Sequence, residues 1–204
     1  KVIDDALDFS VKQSMSMFYE MKDQKGILPR TAENGKMITC ESAWWTSGFY
    51  PGTLWYCYEY SNDPQIRAAA EEMTSRVEKQ KYTTSNHDVG FIINCSFGNG
   101  YRLTHNETYR KVIETAAKSL STRFHPVTGC TRSWNSKKWQ FSVIIDNMMN
   151  LELLNVASSL TGDNTYYNMA KSHADRTMIN HFRPDGSSYH VVSYDTITGK
   201  VLNQ

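Results

Sequence analysis

Apolar residues recur every three or four positions along most of the chain, which is the spacing of one face of an α-helix. The first such stripe predicts a helix over residues 2–22. Further stripes follow Asp63, Asn106 and Asp163, and these polar residues are of the kind that cap helix N-termini. The pattern therefore predicts an all-α fold.

More apolar segments alternate with these amphipathic helices, and they begin near residues 50, 88 and 143. The third is interpreted as a helix over roughly 143–160, whereas residues 24–42 are expected to be irregular. The chain then has about seven helices in a loose repeat of helix pairs. Alternating outer and inner helices favour one domain over residues 1–204, a toroid of helical hairpins, with a superhelical solenoid as the competing architecture.

The last part of the chain departs from the helical pattern. The residue pattern from His190 to Tyr194 alternates as it does in a β-strand. The pair Thr198-Gly199 is typical of a turn. This segment predicts a small terminal β-hairpin.

Charge and hydropathy exclude two classes of partner. The chain has 22 basic and 21 acidic residues, so it lacks the basic excess that nucleic acids or membrane surfaces attract. It has no run of about 18 apolar residues and so predicts no membrane span. It starts at Lys1 rather than Met, which we interpret as trimming, either by processing or by design of the expressed chain. We predict a periplasmic or otherwise exported bacterial protein, with the cytoplasm as the alternative.

Cofactor motifs are missing from the sequence. The cysteines form no C-x-x-C pair, so we expect buried free thiols, with a disulfide as the alternative. There is no H-E-x-x-H motif, no phosphate-binding glycine loop and no G-x-S-x-G elbow. Neither a metal nor an organic cofactor is expected. The four cysteines are Cys40, Cys57, Cys95 and Cys130.

Two carboxylates stand out because each lies near the start of an apolar helix. If the inner helices point the same way, Asp88 and Asp146 reach the same mouth of the toroid. A helix N-terminus favours an ionised Asp88, and an ordinary N-cap is the alternative for this residue. Asp146 is preceded by three apolar residues, and burial there would raise the pKa of its carboxyl group, as a general acid requires.

Aromatic residues and histidines accompany these carboxylates. Trp45 lies in a segment rich in aromatic residues and glycine, and Trp134 lies in a turn-rich loop. Exposed indoles would stack on sugar rings, and a tryptophan plug over the core is the alternative. His87 adjoins Asp88, and His190 opens the terminal hairpin. We predict that both histidines bind substrate, although a structural role is the alternative.

Taken together, four segments resemble the unsaturated glucuronyl hydrolases, family 88 of the glycoside hydrolases. Each segment alone is a weak signal, but their order and spacing match the family across nearly the whole chain. The segments are residues 45–49 with 54–56, 87–91, 144–147 and 187–190.

The resemblance implies an (α/α)6 toroid that removes 4,5-unsaturated uronic acid from the non-reducing end of lyase-generated oligosaccharides, such as glycosaminoglycan disaccharides. It places the two catalytic aspartates on Asp88 and Asp146, and sugar contacts on Trp45, Trp134 and His190. The implied reaction hydrates an enol ether. Asp146 would protonate C4, water would add at C5, and the hemiketal would open without a cofactor.

The chain is shorter than the family pattern, whose members run to nearly twice its length. We interpret it as the N-terminal half of a toroid. We predict that it is inactive alone and that a second copy or the missing C-terminal half covers its open side. A non-catalytic carbohydrate-binding or scaffold module and an unsaturated rhamnogalacturonyl hydrolase are the alternatives.

Overall fold

The computed structural model describes residues 1–204, most of which are helical. Residues Val89–Thr104 form one helix, because a π-helical turn (Asn94–Gly98) joins two α-helical segments without a break. The short helices Asn147–Asn150 and Glu152–Thr161 are separated by Leu151 alone. Counted this way, the chain has seven helices, as the sequence predicted. The α-helical segments are α1 (Val2–Met21), α2 (Phe49–Ser61), α3 (Pro64–Ser75), α4 (Val89–Ile93), α5 (Asn99–Thr104), α6 (Glu107–Ser121), α7 (Asn147–Asn150), α8 (Glu152–Thr161) and α9 (Asn164–Asn180).

The strands form three small antiparallel sheets. One is a hairpin of β1 (Ile27–Glu33) and β2 (Lys36–Glu41). A second pairs the two-residue strands β3 (Phe124–His125) and β4 (Cys130–Thr131). The third has the order β5-β6-β7 and consists of β5 (Ser142–Ile144), β6 (Val191–Tyr194) and β7 (Val201–Asn203). The predicted terminal hairpin is therefore confirmed as β6 and β7.

The predicted helix caps are also confirmed. The side chains of Asp63 and Asp163 accept hydrogen bonds of 2.8 Å from the backbone N–H two residues further on. Asn106 does the same at 2.9 Å. These short polar side chains satisfy N–H groups that the first helical turn leaves without a partner, and they fix where α3, α6 and α9 begin.

The β1–β2 hairpin was missed, because residues 24–42 were expected to be irregular. Asn34 and Gly35 form its turn with φ values of 49° and 73°. Such left-handed conformations at two successive residues are the geometry that an Asn-Gly pair favours in a tight hairpin turn. The dipeptide was a readable signal in the sequence.

The prediction of one helix over residues 143–160 was wrong at its start. Val143 and Ile144 belong to β5, where Val143 pairs with Val192 of β6, and the helix begins only at Asn147. Both residues are β-branched and buried, which favours a strand inside a sheet. A short apolar run cannot distinguish a buried strand from a buried helix by its spacing.

The predicted helix stop at residues 98–100 was also wrong. A Cβ atom at Gly100 would lie 2.7 Å from the ring of Tyr109, so this glycine permits close packing rather than a turn. The helix continues to Thr104, and His105 follows it in a left-handed conformation.

The chain divides into two compact units, each with its own core. The first comprises Lys1–Gln80 and Phe91–Val112, and its core centres on the fully buried Trp55, whose indole N–H donates to Thr74 Oγ1 at 2.9 Å. The second comprises Lys81–Gly90 and Ile113–Gln204. Its core contains Cys130, Phe141, Val143, Val192 and Tyr194. The prediction that residues 1–204 form a single domain is not tested by this division into two units and stays a prediction.

All four cysteines are free thiols, as predicted. Cys57 and Cys130 are buried, whereas Cys40 and Cys95 are only half-buried. None of the helices combines the length and the apolar character that crossing a membrane requires.

Candidate active site

Asp88 lies directly before α4, in a segment held against the strand that precedes Trp134. The backbone N–H of His87 donates to the carbonyl of Ser133 at 3.0 Å, and Asn86 forms an antiparallel bridge with Trp134. The side chain of Asn86 in turn accepts from the backbone N–H of Asp88 at 2.9 Å. These bonds fix the backbone from which the Asp88 carboxylate projects.

Asp146 lies between the end of β5 and the start of α7. It occupies the N-cap position with φ −68°, yet its side chain makes no capping hydrogen bond. The N–H of Ile145 donates to the carbonyl of His190 at 3.0 Å, so the β5–β6 pairing extends up to the residue before Asp146. The position of the Asp146 carboxylate is therefore fixed by a strand pair and by the start of a helix. Its oxygens make no capping hydrogen bond to that helix.

The two carboxylates meet around the imidazole of His87. His87 Nε2 lies 3.3 Å from Asp88 Oδ1 and 4.0 Å from Asp146 Oδ2. One oxygen from each carboxylate and one imidazole nitrogen all lie within 4.8 Å of one another. The imidazole is 2% exposed, whereas the side chains of Asp88 and Asp146 are 23% and 35% exposed. The structure thus brings the two predicted carboxylates together, with His87 beneath them.

This burial and proximity shift the pKa values of all three groups. Burial and the nearby charge of Asp146 raise the pKa of Asp88 to about 6, against the attraction of Arg123. Burial also raises the pKa of Asp146, against the charge of His190. Burial lowers the pKa of His87 to about 4, although Asn147 favours its charged form. Near neutral pH the imidazole is therefore neutral.

The sequence predicted a raised pKa for Asp146, and the structure confirms that direction. It also predicted that Asp88 stays ionised at a helix end, and the raised pKa of Asp88 runs against this expectation. The reason is that Asp88 is buried beside a second carboxylate, whose like charge disfavours its ionised form. The two groups form a coupled pair, and the division of roles between them stays a prediction.

Arg123 is a member of this site that sequence reasoning missed. Its guanidinium is buried and donates to the carbonyls of Arg132 at 2.7 Å and Thr84 at 2.6 Å. Burial lowers its pKa to about 10, which leaves it charged at neutral pH. Its charge offsets part of the repulsion between Asp88 and Asp146. Nothing in the local sequence distinguishes this arginine from one on a solvated helix end.

Gly90 allows the two segments to approach. A Cβ atom on this residue would lie 2.5 Å from the backbone oxygen of Asn150 and 2.6 Å from its side-chain oxygen. Any other residue would therefore push the start of α4 away from α7. The glycine in the His87-Asp88-Val89-Gly90-Phe91 segment is required by packing, and sequence analysis did not identify that role.

The remaining predicted residues are placed as follows. His190 is exposed, and its charge acts on Asp146. Trp134 is partly buried, and its carbonyl accepts from Ser142 Oγ at 2.8 Å. His87 was predicted to bind substrate. It is buried beside the two carboxylates, and its contact with substrate stays a prediction.

Trp45 belongs to the first compact unit, and it is 44% exposed, so it is not a plug over the core. Its ring packs edge-on against Phe49 at a centroid distance of 5.8 Å. It also lies 6.2 Å from the ring of Phe91. An exposed indole held by aromatic neighbours is suited to stacking on a sugar ring, and its contact with sugar stays a prediction, as for Trp134 and His190.

Only one group of potential metal ligands occurs in the chain, and it is the same set of His87, Asp88 and Asp146. The expectation that no cofactor is needed stays a prediction.

Comparison with solved structures defines the class of protein. No protein-family model matches the chain. The structure of an unsaturated glucuronyl hydrolase specific for heparin superposes with a TM-score of 0.91 and 43% identity, over 98% of this chain and 55% of that one. The unsaturated glucuronyl hydrolase of Bacillus sp. GL1 gives a TM-score of 0.85 and 29% identity, over 98% of this chain and 53% of that one. The fold is that of the α/α-toroid glycosidases, as predicted.

Curated relatives show the same similarity. An unsaturated glucuronyl hydrolase of Formosa agariphila is 48% identical over 160 residues, which are 77% of this chain and 40% of that protein. An unsaturated chondroitin disaccharide hydrolase of Streptococcus pyogenes is 33% identical over 204 residues, which are 97% of this chain and 50% of that protein. The chain is similar to the unsaturated glucuronyl hydrolases along most of its length, and it spans about half the length of the relatives it matches.

Replacing Gly90 with alanine is expected to separate the two carboxylates. The new methyl group meets the backbone of Asn150, and overpacking of this kind costs about 1–3 kcal/mol of unfolding free energy. Gly98→Ala is the control, since the nearest atoms that its Cβ would meet belong to the side chain of Asn94 and not to a backbone. Urea denaturation measures both variants. Equal stability of Gly90→Ala and Gly98→Ala would show that the close approach at Gly90 is unimportant.

The raised pKa of Asp88 predicts how its replacement changes stability with pH. Because the pKa rises from 3.8 to about 6 on folding, ionising Asp88 costs stability progressively across that pH interval and fully above it. Asp88→Asn removes this cost, so the variant is expected to be more stable than wild type by about 1–3 kcal/mol at pH 8. At pH 3.5 the difference is expected to vanish.

The control for this experiment is Asp185→Asn. Hydrogen bonds from the hydroxyl and N–H of Ser187 lower the pKa of Asp185, so its ionised form favours folding and its replacement gives no gain at pH 8. Thermal denaturation across the pH range distinguishes the two. A loss of stability at pH 8 in Asp88→Asn would contradict the assigned environment.

Proposed function

We propose that the protein containing this chain removes 4,5-unsaturated uronic acid residues from the non-reducing end of oligosaccharides by hydrating their enol-ether double bond. The observation that carries the proposal is the pair of half-buried carboxylates, Asp88 and Asp146, whose oxygens approach within 4.8 Å around a buried imidazole. The similarity of the chain to unsaturated glucuronyl hydrolases supports the same reaction.

The spacing of the pair argues against ordinary inverting hydrolysis at the anomeric carbon. That reaction places a water between two carboxyl groups about 6.5–9.5 Å apart. The nearest oxygens of Asp88 and Asp146 are closer than this. Retaining hydrolysis places its carboxyl groups about 5–5.5 Å apart, so the similarity to unsaturated glucuronyl hydrolases, and not the spacing, favours hydration over that reaction. Hydration of a double bond is compatible with a close pair, because one carboxyl group can serve as both the proton donor and the base for water while the other stays ionised beside it.

The reaction can be followed bond by bond. A carboxyl group transfers its proton to C4, which leaves positive charge shared by C5 and the ring oxygen. Water adds at C5 and returns a proton to the carboxylate, and this step gives a hemiketal. The hemiketal then opens by breaking the bond from C5 to the ring oxygen. The open chain carries a hemiacetal at C1, which collapses to an aldehyde and releases the partner sugar. One water is consumed, and the carboxyl group ends protonated as it began.

We assign the acid and base steps to Asp146, which is the more exposed member of the pair. Asp88 lies closer to His87 and feels the charge of Arg123, an environment that holds a carboxylate in place. Its negative charge favours the protonated form of Asp146. The carboxylate of a bound uronate adds a further negative charge and raises the pKa values of the pair again.

Substrate binding is assigned to Trp134 and His190, which belong to the same unit as the two carboxylates. Sugar contact by Trp45, which belongs to the other unit, stays a prediction. Indole faces suit the apolar faces of pyranose rings, and an exposed imidazole can donate to a hydroxyl or a carboxylate. The relatives act on unsaturated glucuronyl groups and on unsaturated chondroitin disaccharides, and one similar structure is specific for heparin. We therefore propose disaccharides of glycosaminoglycans as substrates. A periplasmic location stays a prediction from the sequence.

Hydrolase activity is proposed to need further protein segments that cover exposed apolar side chains of this chain. In the first unit, the start of α1 exposes Val2, Ile3 and Phe9 by 83%, 74% and 63%. In the second, the end of α9 exposes Met178 and Ile179 by 69% and 72%. Apolar side chains this exposed are typical of surfaces that another segment or chain covers. Further residues of the natural protein, or a second copy, are the proposed cover.

The test follows the ultraviolet absorbance of the unsaturated uronate, which disappears on hydration. The full-length protein is incubated with unsaturated disaccharides from heparin, chondroitin and hyaluronan. Asp146→Asn is expected to lower kcat by about 10²–10⁴-fold, and Asp88→Asn is also expected to lower it.

Asp175→Asn serves as the control, because Asp175 is exposed and pairs only with Lys171 at the surface. The chain of residues 1–204 alone is expected to be inactive. The proposal fails if the full-length protein consumes none of the disaccharides, or if Asp146→Asn works as fast as wild type.

A further inference from the structure

Ser133 connects the segments that carry the two carboxylates. It is fully buried, and its carbonyl accepts from the N–H of His87 at 3.0 Å, next to Asp88. Its hydroxyl oxygen accepts from the N–H of Ile144 at 2.9 Å, two residues before Asp146. The distance between the carboxylates therefore depends on where the backbone at Ser133 lies.

Two residues earlier, the backbone of Thr131 is held at both of its polar groups by buried side chains. Asn147, which follows Asp146, donates from Nδ2 to the carbonyl of Thr131 at 2.7 Å. The N–H of Thr131 donates to Nδ1 of His173 at 2.9 Å. Both side chains are fully buried.

The bond from Thr131 fixes the protonation of His173. A nitrogen that accepts a hydrogen bond carries no proton, so the neutral imidazole has its proton on Nε2. Burial lowers the pKa of His173 to about 3, which keeps the ring neutral. Nε2 has no hydrogen-bond partner among the protein atoms. Burying a donor in this way costs stability that an apolar residue would not lose, so a role in stability alone does not account for His173.

We propose that His173 and Asn147 are positioning residues, which hold the N–H and the C=O of Thr131 and so set the separation of Asp88 and Asp146. His173 acts from α9, a helix that contributes none of the residues assigned to catalysis or sugar binding. As a claim about catalysis, this inference rests on the proposed function, whereas its geometric part does not.

The inference predicts how the carboxylates respond when the bonds that hold the backbone of Thr131 are removed. The charged or titratable groups that act on Asp88 are Asp146, His87 and Arg123. A larger separation from Asp146 weakens the repulsion, and more water reaches the pair. Both changes favour ionisation, so the pKa of Asp88 falls toward its ordinary value.

The experiment compares His173→Leu with His173→Asn in the full-length natural protein. Leucine fills the site without an acceptor, whereas the side-chain oxygen of asparagine can take the place of Nδ1. Carbon-13 NMR follows the Asp88 carboxyl group through a pH titration. His173→Leu is expected to lower its midpoint by about one pH unit, and His173→Asn is expected to restore it.

Kinetics provide the second readout. In His173→Leu the pH profile of kcat/KM is expected to move in the same direction, with kcat reduced about 10-fold or more and KM nearly unchanged. Ser172→Ala is the control. Ser172 precedes His173 in α9, but its hydroxyl donates to the carbonyl of Gly129 and not to Thr131. Asn147→Ala removes the other contact to Thr131 together with the contacts of Asn147 to His87 and Ser133. It is expected to shift the midpoint the same way, so an unchanged midpoint in this variant still counts against the inference if His173→Leu does not fold.

Three results would overturn the inference. They are an unchanged Asp88 midpoint in a folded His173→Leu, an unchanged midpoint in a folded Asn147→Ala, and a nitrogen-15 spectrum that places the proton of His173 on Nδ1. If the full-length protein proves inactive on every unsaturated disaccharide, the proposed function fails while the titration still decides the positioning role. If activity is present and the midpoints do not move, only the positioning role fails.

Discussion

The close approach of Asp88 and Asp146 is the constraint on which the rest of the candidate site depends. Two carboxylates at this distance repel each other, and the surrounding structure holds them together nonetheless. Gly90 lets α4 meet the backbone of Asn150, and Ser133 bonds to the segments that carry both carboxylates. The charge of Arg123 offsets part of the repulsion. Burial and the remaining repulsion raise the pKa of Asp88. Burial also raises the pKa of Asp146, and a carboxyl group with a raised pKa is what acid catalysis near neutral pH uses.

Much of the helical framework was readable in the sequence, because its signals are local. The caps at Asp63, Asn106 and Asp163 are satisfied within two residues, and they were predicted correctly. The Asn34-Gly35 turn was equally local and could have been found. By contrast, Val143 and Ile144 lie in a strand only because β6 pairs with them from nearly fifty residues away. Spacing alone cannot predict such a partner.

The residues of the candidate site also divide into those with a local sequence signal and those that depend on contacts formed by folding. Asp88 and Asp146 could be predicted, since a carboxylate next to an apolar run requires either a partner or a function. Arg123, Ser133, Asn147 and His173 could not, because each acts through a backbone or side-chain contact formed only by folding. The environment of Asp88 was misjudged for this reason. Its helix position is local, but the charge of Asp146 that acts on it comes from a distant part of the chain.

The most direct measurement is a carbon-13 titration of the Asp88 carboxyl group in the wild-type protein and in Asp146→Asn. If the two carboxylates form a coupled pair, Asp88 titrates near pH 6 in the wild type, and its midpoint falls when the charge of Asp146 is removed. A wild-type midpoint near the ordinary value of 3.8, unchanged in Asp146→Asn, would contradict the account.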